Sequence, residues 1–193
     1  ILTEPALLCL FGIAASAMGA FVGVFNAVGF RLESPPYSLS VGVAGLVFLV
    51  YGLGSIASAR AGALAGRHGQ RVVEPLAAAV MLAGVLLTLF APLALVVVGL
   101  AVMAIGFFAV HGVASGWVAA RASVGVGSPG QASSAYMFAY YLGSSVFGGL
   151  AGAAWQFGGW PWVVALTGSL TLATLVFALT LRRIPSLLEK QQP

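Results

Sequence analysis

The sequence predicts an all-α integral membrane protein of six transmembrane helices. Three observations carry that reading: 61% of the 193 residues are hydrophobic, only 6% are charged, and the apolar residues fall in blocks about as long as a bilayer is thick. A soluble domain clothes its surface with about 25% charged residues, far more than this chain has. One helical crossing takes roughly 20 residues. Backbone facing lipid must be helical, because nothing there can satisfy stray N–H and C=O groups.

The 193 residues divide into six segments of a single transmembrane bundle. The first spans residues 5–30 and ends in RLESPPYS, where Pro35 and Pro36 stop a helix. The second spans 40–61. A polar turn, GALAGRHGQR, leads to the third at 72–90, which opens with Glu74 and Pro75, an acid and a proline suited to a first helical turn. Pro92 marks the hairpin into the fourth, 93–119. The stretch RASVGVGSPGQ leads to the fifth, 132–156, and the turn GGWPW to the sixth, 161–181, which runs into Arg182 and Arg183.

Arginine and lysine set the expected orientation. With six crossings, Arg60, Arg67, Arg71, Arg121, Arg182, Arg183 and Lys190 fall on one side. Only Arg31, offset by Glu33, falls on the other. Both termini are then cytoplasmic, and Trp160 and Trp162 sit at the outer interface. The net charge of +4 reflects this topology; the basic residues are too scattered for a nucleic-acid surface.

Glycine is abundant, with 26 residues. Ser144, Gly148 and Gly152 recur every four residues, as do Gly112 and Gly116, a spacing that lets helix backbones approach closely. These positions read as packing seams or as points where helices slide. Cys9 is the single cysteine, so no disulfide forms within one chain.

Few polar groups fall inside the apolar blocks, and an intramembrane ionisable residue is a functional candidate by default. His111 is the one clearly inside a span, with no acid expected in any helix core. It either exchanges protons or stays neutral and hydrogen-bonded. Asn26 faces either a water-filled cavity or another helix. Tyr136 and Tyr140 share a helix face and either line a cavity for an amphipathic compound or belong to an interfacial belt. No metal-binding, nucleotide-binding or nucleophile motif occurs, so no enzyme, cofactor or metal is expected. The GSS at Gly143–Ser145 has no later histidine to activate a serine, and channel signatures of the NPA or TVGYG kind are missing.

The turn GALAGRHGQR resembles the loop signature G-x-L-a-D-R-x-G-R-R of the major facilitator superfamily, with Gly62, Leu64, Arg67, Gly69 and Arg71 on the pattern. Gly66 replaces the usual aspartate and Gln70 one basic residue. GFFAVHGVASGWVAARA (106–122) and GQASSAYMFAYYLGSSVFGGLAG (130–152) are similar to the tenth and eleventh helices of bacterial arabinose-efflux-like, multidrug-type permeases. The resemblance covers nearly the whole chain as the C-terminal half of a twelve-helix protein. It implies one half of the major facilitator fold, a 3+3 inverted repeat. Further implied are a central cavity lined from Asn26, Tyr51, His111, Tyr136 and Tyr140, and export of a small molecule driven by protons across the bacterial inner membrane. The implied partners are the lipid bilayer, the substrate and an N-terminal six-helix half, the chain itself beginning partway through a longer protein. Arg67 and Arg71 are expected to pair with helix ends and with Glu74. The alternative is a truncated, non-transporting membrane remnant with a structural or partner-binding role.

Overall fold

A computed structural model describes residues 3–124 and 128–184; Lys190 and part of the glycine–proline stretch, 125–127, lie outside them. The described chain is all helical: α1 (Pro5–Glu33), α2 (Val41–Gly45), a 3₁₀ segment (Leu46–Gly52), α3 (Leu53–His68), α4 (Gln70–Leu87), α5 (Leu93–Ala122), α6 (Pro129–Gly158) and α7 (Trp160–Arg183). Five stretches are long and apolar enough to cross a membrane: α1, the combined Val41–His68, α4, α5 and α7. At 30 residues α6 is as long as α5. Its tyrosines, serines and glycines make it less apolar. The molecule is a multi-pass membrane bundle.

Local sequence explains the helix ends. Glu4 caps α1, its carboxylate accepting from the Leu7 N–H at 2.7 Å, with Pro5 at the first helical position. Of the ten residues GALAGRHGQR, only Gly69 is outside a helix. At φ 86° it ends α3 and starts α4, a conformation that costs glycine little. The expected polar turn is therefore one residue long, because helical backbone satisfies its own polar groups up to that point.

The second segment is not a plain helix. Seven residues of 3₁₀ winding interrupt it, longer than the three or four usual for that geometry.

Helix pairing has an internal correspondence. The chief contacts are α1 with α6, α5 with α3, α4 with α5, α1 with α7, and α4 with α7. Exchanging the first three segments with the last three turns α1–α6 into α5–α3 and α4–α5 into α7–α1. The α4–α7 pair maps onto itself.

The tightest seams differ in part from the expected glycine stripes. A methyl group on Gly84 would overlap the backbone of Met103, and one on Gly106 that of Met81, so α4 and α5 touch backbone to backbone. On α6, Gly143 meets the backbone of Ala15, and Gly148 meets Val22 and Asn26. Nothing lies within 4 Å of a methyl at Gly152 or Gly116, whereas Gly112 meets Ser58. The α6 seam thus runs through Gly143, Gly148 and Ala151, sharing only Gly148 with the four-residue stripe.

Polar clusters tie each end together. At one end Arg121 and Glu4 form an ion pair at 2.6 Å joining α5 to α1. Burial alone would raise the Glu4 carboxyl, but Arg121 and the Leu7 N–H outweigh it and hold the group below the ordinary carboxylate range. Also there, Arg71 donates to the carbonyl of Ile184 at 2.6 Å and of Arg182 at 3.4 Å, clasping the end of α7. At the other end Arg31 donates to the carbonyls of Thr88 and Phe90, and its guanidinium lies 4.8 Å from the Trp160 ring. Its partners do not include Glu33.

Trp160 is buried and donates from Nε1 to the Thr88 carbonyl at 3.0 Å. Its indole thus packs inside the bundle, where its N–H finds a partner. Trp162, stacked edge-on with Phe157, is exposed.

Candidate functional site

Aromatic residues on four elements meet in one wall. Helical spacing puts Phe21 and Phe25 on one face of α1, Phe107, Phe108 and His111 on one face of α5, and Tyr136 and Tyr140 on one face of α6. Phe21 stacks on Phe107 at 4.0 Å between ring centres. Tyr51, in the 3₁₀ segment, lies 4.8 Å from Phe25 and 5.2 Å from Phe21. His111 lies 4.9 Å from Tyr140 and 5.8 Å from Tyr136, and Phe107 connects the two groups, its ring stacked on His111 at 6.2 Å.

Four of the five cavity candidates, Tyr51, His111, Tyr136 and Tyr140, therefore share one surface. Asn26 stands apart, exposed on the α1–α6 seam with its amide 3.5 Å from the Gly148 carbonyl, a long contact that leaves the amide open.

The wall is graded in exposure. Tyr136 is buried at 2% and its hydroxyl is 3.1 Å from His111 Nδ1. Tyr51 is 38% exposed and Tyr141, edge-on to Tyr140, 61%. Such a surface offers π faces to planar or cationic apolar compounds, with tyrosine hydroxyls and one imidazole as hydrogen-bonding groups. Among the described residues no group of three or more His, Cys, Asp or Glu side chains gathers as metal ligands would.

The loop-motif residues are elsewhere. Gly62, Leu64 and Arg67 are exposed on the last turns of α3, and Arg71 is in the first turn of α4. Arg71 does engage a helix end, that of α7. Neither arginine pairs with Glu74, because Glu74 faces into the bundle, fully buried with both carboxylate oxygens unpaired. It lies one turn inside α4, so the expectation of no acid in a helix core is overturned. An acid followed by proline at the head of an apolar block reads as a helix-start pair; the helix begins two residues earlier than that reading requires.

A groove of about 660 Å³ lies away from the wall, between α3 and α4, lined by Ile56, Arg60, Leu64, His68, Leu76 and Val80 among others.

The chain is 41% identical to the inner membrane transport protein YnfM of Escherichia coli over 174 residues, 90% of this chain and 41% of that protein. It is 36% identical to the uncharacterized MFS-type transporter YybF of Bacillus subtilis over 91% of the chain and 42% of that protein. A transporter of Buchnera aphidicola (Schizaphis graminum) is 34% identical over 93% of the chain and 42% of its own length. The chain is homologous to bacterial MFS-type transporters. It spans about two-fifths of the length of these relatives. Their names describe transport and none describes an enzyme, in keeping with the absence of enzyme motifs. No family model and no solved structure matches the chain.

Proposed function

We propose that the chain is the C-terminal six-helix bundle of a secondary active transporter of the bacterial inner membrane, exporting a small molecule as protons enter. The observation that carries this reading is the aromatic wall with His111 at its centre, left partly open beside two poorly covered elements. In the Val41–His68 stretch only Ala44, Val47, Gly54 and Ala61 are buried, and α6 exposes Phe138, Tyr141, Leu142, Val146 and Leu150. A matching N-terminal bundle laid on these two elements would close the wall into a cavity. The exchangeable helix pairing supports a 3+3 inverted repeat. Orientation follows the arginine bias: the end holding Glu4, Arg71, Arg121 and Arg182 is cytoplasmic, and so are both termini. The substrate class suited to the wall is planar, apolar and neutral or cationic.

The test is efflux of cationic dyes from vesicles under a proton gradient, with the chain alone and with a six-helix N-terminal half co-expressed. Gradient-driven export is expected only with both halves, falling at least tenfold in His111→Ala and Tyr140→Ala and little in Asn26→Ala. Equal export by the chain alone would sink the half-transporter reading.

A further inference from the structure

Glu74 has no role in the arrangement described so far, and its surroundings are unusual. It is 0% exposed and neither oxygen has a hydrogen-bond partner. It belongs to the buried stripe of α4 that includes Ala77, Ala78, Met81 and Gly84. Met81 meets Gly106 and Gly84 meets Met103 on α5. The same antiparallel register carries Glu74 to the level of Val113, two residues from His111.

Among the described residues no neighbouring element supplies a counter-ion. On α5 the titratable side chains are His111, bonded to Tyr136, and Arg121, engaged with Glu4. The end of α7 carries Arg182 and Arg183, and α3 carries Arg60, Arg67 and His68. None of them reaches the Glu74 oxygens. An ionised carboxylate held there would be costly, whereas a neutral carboxyl costs much less. Arg71, three residues earlier and so adjacent on the helix surface, is occupied by the carbonyls of Ile184 and Arg182.

We infer that Glu74 is a proton-binding site, neutral while α4 and α7 are clasped and ionised in a second state in which Arg71 leaves α7 and becomes its counter-ion. On release the Oε–H bond breaks, the proton passes to water at the Gly69 end, and the electron pair stays on the carboxylate that Arg71 then neutralises. Binding and release of one proton thereby make or break the contact between α4 and the end of α7, one turn from the level of His111 in the aromatic wall. The inference rests on the transporter reading and names the group that takes the proton.

Infrared spectroscopy of the chain reconstituted in lipid vesicles tests it. The chain has four glutamates, Glu4, Glu33, Glu74 and Glu189, so a protonated-carboxyl stretch at neutral pH is assigned to Glu74 by its loss in Glu74→Gln. The band is expected in the wild type, shifted in heavy water, and lost in Glu74→Gln. In Arg71→Gln it should persist to higher pH than in the wild type, because the ionised form has lost its counter-ion. Glu74→Leu, which mimics the neutral state, should melt no lower than the wild type. A wild type without the band, or a Glu74→Leu chain that unfolds much more easily, overturns the proposal. The band is read without substrate or gradient, so its absence bears on Glu74 alone. An intact band in a protein that does not export counts against the transport reading, and the proton site stands.

Discussion

α1 and the Val41–His68 stretch are nearly matched in apolarity, with hydropathies of 2.2 and 1.9 over their best eighteen residues, yet 67% of those eighteen are buried in the first and 17% in the second. Both are rich in glycine, and most of their glycines differ in what they meet. On α1, Gly12 meets Phe177, Gly19 meets Phe147, and Gly23 meets Thr167 and Ala151, so α6 and α7 press against it from two sides. Ser16 and Thr174 add a buried hydrogen bond of 2.8 Å between α1 and α7. In the second stretch Gly54 meets Phe108, but Gly42, Gly45, Gly52, Gly62 and Gly66 have nothing within 4 Å of a methyl. Hydropathy decides that a segment leaves water. It does not decide whether lipid, this bundle or another protein surface takes its place, because all three are apolar.

The largest expected effect sharpens this contrast. Gly84→Ala forces the α4 and α5 backbones apart and is expected to cost about 3 kcal/mol. Gly45→Ala, in open space, should change stability by less than about 0.5 kcal/mol or raise it slightly through helix propensity. Thermal melting of the two variants in detergent measures both. A Gly45→Ala loss as large as that of Gly84→Ala would break the comparison.

A smaller effect belongs to the clasp at the start of α1. Glu4→Gln removes an ion pair that is mostly shielded from water and an N-cap carboxylate, at a cost of about 1–2 kcal/mol. Folding holds the Glu4 carboxyl below its ordinary range, so the unfolded chain takes up this proton more readily. The pair's contribution is complete above the ordinary carboxylate range and is lost as pH falls through the lower, folded-state value. Melting curves of wild type and Glu4→Gln should converge in acid; a constant gap across pH would refute the ionic origin.

The smallest effect separates the two tryptophans. Trp160→Phe gives up the hydrogen bond to Thr88, worth about 1 kcal/mol. Trp162→Phe, on the exposed side, should cost less than about 0.5 kcal/mol. Equal losses would mean that burial of Trp160 contributes nothing specific.

Composition and block length by themselves determined that the chain is helical and leaves water, since 6% charge cannot clothe a soluble surface and lipid admits no unpaired backbone. Periodicity along a single helix was also enough to put Tyr136 and Tyr140 on a common face. Only tertiary structure could join Tyr51 to them while leaving Asn26 aside, because that depends on how four elements cross. The same holds for the α4–α5 glycine contact and for Trp160, whose partners Thr88 and Arg31 lie 72 and 129 positions away in the chain. Glu74 is the clearest case. Its neighbours in sequence read as a helix start, and its burial comes from packing between elements, a fact that no local pattern encodes.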